Sequence, residues 1–551
     1  MGATQSKTTQ CVHETPRGSL AGIEYWSHVN KPVCRRFTRV PYALPPTRQL
    51  RWRRPQPLPD SFSFSEPSGK PGNYTAFGPV CPQPVYAYTD VLLENKDTAP
   101  EPELIEKEDC LYLNIWAPAG TPPETGWPVV FYIHGGWLQI GNALQSNAFD
   151  PFDLLASTST PQIIVAPTYR INLFGFLASS VLAELAEDPA PGNYGFWDQR
   201  AALEWTAANI GLFGGDPTNI TVGGHSAGAY STLFQLYHDT YLPAEDRLIK
   251  RIFLYSNAVG VQPNVYSSDF NTTQFDELCS VLSVPATLTP AEKISHLRIL
   301  HSTDLVAAIS KLTLHTFRAC TDESFVPSSF LESIHDGSFT TRLADNGVQI
   351  MLGDVRDEEL LYRLVNPPSD YATLKTQLQN YYPGPVVQAL LMYYDLPGEE
   401  APAVEWQDIY GVITGDCQSH AMVRGFAHSL LHPPEGSKAL PTASVHRYRI
   451  NWRAKSLDAW LDPKVGLCHG ADIPIWLCSG FRAGFTDEDK KVTQEWLEPF
   501  ADFVAGREIK WGTKGEDEVR RLDESGEIKV VKDEDWKKGL GVWELMHRAQ
   551  R

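Results

Sequence analysis

Short apolar runs rich in β-branched residues recur along this 551-residue chain, separated by longer stretches with helical spacing. The runs are PVVFYIH (128–134), QIIVAPT (162–168), NITV (219–222), RIFLYSN (251–257), VQIMLG (348–353) and SVHRYRI (444–450). They have the length and composition of buried strands. WDQRAALEWTAANI (197–210) and SAGAYSTLFQLYHD (226–239) read as helices. Alternating strand and helix signals predict an α/β fold with a mostly parallel central sheet flanked by helices. Reactive groups in such folds sit on loops at the carboxyl ends of strands.

The run NITV ends abruptly in Gly224-His225-Ser226-Ala227-Gly228, a Gly-x-Ser-x-Gly pattern opening a helix. A serine on a sharp strand-to-helix turn is held above the sheet at the positive end of the helix. Its flanking glycines keep Cβ atoms out of the bend. Five-residue patterns also arise by chance, so the rest of the chain must supply the partners. A serine hydroxyl needs a base, and the base needs a third group to hold its tautomer. On this kind of fold the chain order is Ser, then Asp or Glu, then His. Beyond residue 400 the histidines are His420, His428, His432, His446, His469 and His547. His469 stands out in VGLCHGAD, between glycines and so in a loop. For the acid, LGDVRDEELL offers Asp354, Asp357, Glu358 and Glu359, and spacing does not choose among them. Acids at a helix start are also common for electrostatic reasons alone. Upstream, FYIHGGWLQIG ends a strand in Gly135-Gly136-Trp137, where backbone N–H donors for an oxyanion belong.

Composition removes other classes. Lys and Arg number 47 against 66 Asp and Glu, for a net charge of −19. Such a surface repels phosphate backbones, and no basic run with interleaved aromatics is present. Nine cysteines include no C-x-x-C pair, and no metal-ligand, phosphate-loop or repeat pattern occurs. No metal and no cofactor are therefore expected. No apolar stretch approaches the ~18 residues of a membrane span. Residues 1–20 read as a flexible leader, without the apolar segment of a secretory signal. Met1-Gly2-Ala3-Thr4-Gln5-Ser6 fits an N-myristoylation pattern at Gly2, which by itself gives only weak membrane association. The expected location is cytoplasmic, with peripheral membrane contact if Gly2 is acylated. The proline-rich stretches at 41–59 and 431–441 read as surface connections, and the charged tail from Gly515 as solvated surface. Residues 21–551 are expected to form a single domain with large insertions.

Longer motifs carry a family resemblance. FGGDPTNITVGGHSAG (213–228) and EDCLYLNIWAP (108–118) resemble the two signatures of the type-B carboxylesterase and lipase family, which includes cholinesterases and fungal lipases. RFTRVPYALPP (36–46), GNYGFWDQRAALEW (192–205) and GLCHGADIP (466–474) support the match over nearly the whole chain. The resemblance implies an α/β-hydrolase fold and cleavage of small-molecule carboxylic esters through an acyl-enzyme. It makes Ser226 the nucleophile, His469 the base and Glu358 the acid, with oxyanion donors at Gly136, Trp137 and Ala227. It also makes Cys81 and Cys110 a candidate disulfide.

Some positions depart from the family. Trp137 stands where a third glycine is usual, and Glu359 where glycine follows the acid. Val284 and His296 replace a second cysteine pair. Ala99 and Pro100 stand where cholinesterases carry a choline-binding tryptophan, so quaternary ammonium capture is not implied. The alternative activity is acyl transfer, or lactone or thioester hydrolysis in a biosynthetic pathway, at the same site. A non-catalytic binding protein fits less well, because a Ser/Glu/His set is complete.

Overall fold

A computed structural model describes residues 7–85, 104–146, 149–158, 160–185, 191–459, 461–482 and 484–550. Its main sheet contains β1 (Thr8–Thr15), β2 (Gly18–Trp26), β3 (Pro32–Pro41), β4 (Tyr112–Pro118), β5 (Trp127–Ile133) and β6 (Ile163–Pro167). It continues with β7 (Gly215–His225), β8 (Arg251–Tyr255), β9 (Gln349–Val355), β10 (Val445–Ile450), β11 (Glu518–Leu522) and β12 (Ile528–Lys532). The spatial order is β1-β2-β3-β4-β6-β5-β7-β8-β9-β10-β11-β12. Strands from β6 to β11 run parallel, while β1–β4 and β12 add antiparallel edges.

Successive residues of the central strands feed two cores, as the two-residue period of a strand requires. Val129, Phe131 and Ile133 of β5, with Ile252 and Leu254 of β8, face one core. Val130 and Tyr132, with Phe253 and Tyr255, face the other. That is why these strands read as continuous apolar runs: both faces are covered. The first core is closed by α1 (Tyr194–Asn209) and α2 (Ala227–Tyr241), through Phe196, Leu203, Tyr230 and Leu233. Beyond β9, α3 (Ala403–Gly415) passes through one π-helical turn, Asp416–His420, into α4 (Ala421–Leu431). The second core is closed by α5 (Asp487–Ala505), through Trp496, Phe500 and Phe503. The last helix, α6 (Trp536–Arg548), packs Trp543 against α4, where a Cβ on Gly425 would meet the indole at 2.1 Å. No helix among the described residues is long and apolar enough to cross a membrane.

Three segments differ from the sequence reading. Most of the expected leader is structured: β1 pairs with β2 in continuous register from Thr8↔Tyr25 to Thr15↔Gly18. Its alternation of exposed and half-buried residues is that of an edge strand, and its partner is the adjacent β2, joined to it by the Pro16-Arg17 turn. The proline-rich stretch at 41–59 is not wholly surface, since Tyr42, Arg51 and Trp52 are buried and Trp52 donates to the Leu173 carbonyl at 2.7 Å. The charged tail is not merely solvated: β11 and β12 extend the sheet, and Asp533 is buried between Arg424 and Arg447. Ion pairing lets such charges enter a core, and composition alone does not reveal it.

Candidate active site

Ser226 lies where β7 hands over to α2, with φ 58° and ψ −124°. A side-chain-bearing residue adopts that conformation only when its surroundings impose it. The clamp is visible in the hydrogen bonds: Ser226 N–H donates to the Tyr255 carbonyl at 2.8 Å, and its carbonyl accepts from Tyr230 N–H at 3.0 Å. The glycines are sterically obligatory. A Cβ on Gly224 or Gly228 would lie 2.2 or 2.0 Å from the Ile133 carbonyl oxygen of the neighbouring strand.

Of the four acids at the end of β9 and just beyond it, Glu358 is the one that meets His469. It is fully buried, and its Oε2 accepts from His469 Nδ1 at 2.5 Å. Its Oε1 accepts from Val355 N–H at 3.1 Å, which fixes the carboxylate plane. With Nδ1 committed as a donor, Nε2 is the ring nitrogen left to accept a proton. Asp354 instead pairs with Arg424 at 2.7 Å and His420 at 2.6 Å. Burial opposes its charge, but those cations and Arg449 hold its carboxyl well below the usual range. Asp357 braces the histidine loop: Oδ2 accepts from Leu467 N–H at 2.8 Å and its own N–H donates to the Leu467 carbonyl at 3.2 Å. Glu359 is partly exposed, and among the described residues its carboxylate pairs with His420 alone, at 4.0 Å. The other late histidines are engaged elsewhere: His428 and His432 with Glu516, His446 beside Phe503 and Trp511, and His547 against His335.

The loop after β5 carries the remaining site residues. Gly136 has φ 106°, Trp137 φ 54° and Leu138 φ 63°, so three successive residues occupy the left-handed region. That explains why a third glycine is usual where this chain has Trp137. The half-buried indole stands edge-on to Tyr362, with ring centroids 6.4 Å apart. Ala227 opens α2 directly after Ser226.

Tyr362 and Asp472 were missed in the sequence. The Tyr362 hydroxyl stands 3.3 Å from Nδ1 and 3.4 Å from Nε2 of His469. It follows Glu358 by four positions, so one helical turn brings both side chains to the same face, and this spacing is legible in the sequence. The His225 ring lies 4.6 Å from that of His469, and its Nε2 is 4.0 Å from Asp472 Oδ1. Burial, then the neighbouring Glu358 charge, pushes Asp472 up to about 7. Burial, then the His469 charge, pushes His225 well below its ordinary value. Cys81 and Cys110 are buried as free thiols in contact, and the Cys81 hydrogen bond followed by burial holds the Cys110 thiol well above its ordinary pKa. Gly2, Ala99 and Pro100 lie outside the described residues.

A serine forced into a left-handed turn between a central parallel strand and a helix, beside a buried carboxylate–histidine pair, defines an α/β-hydrolase. The fold matches the solved structure of a PNB esterase at a TM-score of 0.71, with 24% identity over 97% of this chain and 100% of that one. An uncharacterized esterase/lipase of Schizosaccharomyces pombe is 40% identical over 95% of this chain and 94% of its own length. A carboxylic ester hydrolase of Gibberella moniliformis is 38% identical over 97% and 95%. The chain belongs to the Carboxylesterase family, whose profile matches residues 9–516, and it is a carboxylic ester hydrolase.

Proposed function

We propose that the chain cleaves small-molecule carboxylic esters through an acyl-enzyme formed on Ser226. Ser226 Oγ attacks the ester carbonyl carbon while His469 Nε2 takes the hydroxyl proton. The negative oxygen is received by the N–H groups of Gly136, Trp137 and Ala227. As the tetrahedral intermediate collapses, the C–O bond to the leaving alcohol breaks and His469 returns the proton to that oxygen. A water then repeats the sequence on the acyl-enzyme, releasing the acid and restoring Ser226. Glu358 holds the imidazole in the working tautomer and offsets its positive charge. Among the described residues His469 contacts Glu358 and Tyr362, and no hydrogen bond joins it to Ser226; such contacts in hydrolases often tighten only when substrate is bound. The observation that carries this reading is the buried 2.5 Å contact of Glu358 with His469 Nδ1.

A fluorophosphonate probe with peptide mapping tests it, together with Ser226→Ala on p-nitrophenyl butyrate. The label is expected on Ser226, and the variant is expected to lose about 10⁶-fold in kcat. A clean preparation of the variant retaining more than a few per cent of activity would remove Ser226 as the nucleophile.

A further inference from the structure

Among the described residues one buried cation, Arg318, has no counter-ion. Arg318 is 2% exposed, yet its Nε, Nη1 and Nη2 atoms have no hydrogen-bond partner. Among the described residues no carboxylate is paired with it, whereas the buried Arg170, Arg200, Arg424 and Arg447 all hold one. Phe270 lies under its guanidinium at 4.4 Å, which eases the charge but offers no acceptor. The phenols whose charge would act on it are Tyr230, Tyr382 and Tyr381. The hydroxyls of Tyr230 and Tyr382 are themselves buried without partners. Three guanidinium nitrogens and two hydroxyls thus have their hydrogen-bonding capacity unused, an arrangement that costs stability unless an acceptor arrives.

The position ties this cluster to the reacting groups. The Gln139 amide nitrogen donates both to the Trp137 carbonyl, at 2.9 Å, and to the Phe317 carbonyl, at 2.6 Å. Phe317 N–H returns a bond to Gln139 Oε1 at 3.0 Å, so the residue before Arg318 is braced on the loop that carries Gly136 and Trp137. Tyr230 sits one turn after Ser226, and its N–H donates to the Ser226 carbonyl. Tyr381 lies within electrostatic range of both Arg318 and Tyr362, the residue on His469. Burial lowers the guanidinium to about 9, so it is still charged at neutral pH.

We propose that Arg318 receives a carboxylate carried by the ester substrate, so that the preferred substrates are esters bearing a second, anionic carboxyl group. The planar guanidinium fork matches two carboxylate oxygens, and the two tyrosine hydroxyls can donate to the same group. The net charge of −19 disfavours anions at long range, which leaves recognition to a local cation. The inference rests on Ser226 being the nucleophile.

The test uses p-nitrophenyl hemiesters of succinate, glutarate and adipate, each paired with its methyl-capped diester. The readout is the ratio of kcat/KM, free acid over capped, from p-nitrophenol release. The wild-type ratio is expected to exceed ten at one chain length at least. Arg318→Met is expected to lower it tenfold or more, and Arg318→Lys to keep part of it. Free glutarate should compete with the hemiester in the wild type more strongly than glutaramide, a measurement that needs no variant. A ratio below one at every length, or a ratio unmoved in a folded Arg318→Met, overturns the proposal, as does equal inhibition by glutarate and glutaramide. If the capped diesters turn over and Ser226 is labelled, such results sink Arg318 alone. If neither ester type is cleaved and Ser226 is unlabelled, the hydrolase reading itself fails.

Discussion

Replacing Glu358 by glutamine (Glu358→Gln) changes one atom and sets two buried groups against each other. The carboxylate accepts on both sides, from His469 Nδ1 at 2.5 Å and from Val355 N–H at 3.1 Å. An amide can accept on only one of them. If its oxygen faces His469, its NH₂ meets the Val355 N–H and a buried backbone donor is stranded, at a cost of about 1–3 kcal/mol. If its oxygen faces Val355, its NH₂ points at Nδ1, which must become an acceptor. The ring proton then moves to Nε2, the atom that in the proposed mechanism accepts from Ser226. The imidazole can exchange tautomers and the peptide cannot, so the second arrangement is expected to win. Loss of the working tautomer typically costs about 10⁴-fold in kcat. At about 1.4 kcal/mol per tenfold, that is roughly 5.5 kcal/mol of transition-state stabilisation.

The controls separate this effect from general damage to the loop. Asp357→Asn keeps an acceptor for Leu467 N–H and loses a partly exposed ion pair with Arg356, so a loss under tenfold is expected. Glu359→Gln touches no group at the site and should be milder still. Initial rates on p-nitrophenyl butyrate, with circular dichroism to confirm folding, decide the matter. If Glu358→Gln keeps more than a tenth of kcat, or if Asp357→Asn is the severe change, the acid has been misassigned.

Trp137→Gly relieves a left-handed backbone that costs a non-glycine residue roughly 1–2 kcal/mol, while removing an indole that stands against Tyr362. Turnover of p-nitrophenyl acetate is expected to fall and kcat/KM for the octanoate to rise; an equal change at all chain lengths would remove the indole from specificity. His420 is raised to about 9, because the Asp354 hydrogen bond and charge outweigh the burial that opposes its protonation. Its contribution, about 3 kcal/mol by linkage, is fully present below pH 6.5 and is lost as pH rises through 9. Denaturant titrations of wild type and His420→Gln between pH 6 and 10 should therefore converge at the alkaline end, and parallel curves would refute the linkage. Burial lowers His134, His238 and His446 to about 4, so the unfolded chain binds more protons than the folded one between pH 6.5 and 4. Stability should fall as pH drops across that window, which the same titrations at pH 4–6 can read. The sequence-based expectation of a cytoplasmic location predicts that Cys81 and Cys110 are recovered as thiols after denaturing alkylation; a quantitative bridge in the native protein would overturn that expectation.

The α/β class, the serine turn and the histidine loop were legible in the sequence because local physics writes them there. Strands covered on both faces must be apolar throughout, and the glycines of the serine turn leave no room for a Cβ against the Ile133 carbonyl. The choice of acid was different. Four carboxylates within six residues look alike until Arg424 and His420 claim Asp354, Leu467 and Arg356 claim Asp357, and Glu359 turns toward solvent. The residues' own pattern left that open, and only the family resemblance pointed to Glu358. The buried Asp533 was hidden for the same reason, since its partners Arg424 and Arg447 lie far away in the chain, whereas the N-terminal edge strand pairs with the adjacent β2 and was hidden by its polar alternation. Arg318 is the extreme case. A single arginine in HTFRAC carries no signal, and what matters about it is that, among the described residues, its three buried nitrogens have no hydrogen-bond partner. Covalent geometry and hydrophobic period act between neighbours and can be read along the chain. Charge pairing acts between whichever groups the fold brings together, so only the tertiary structure decides it.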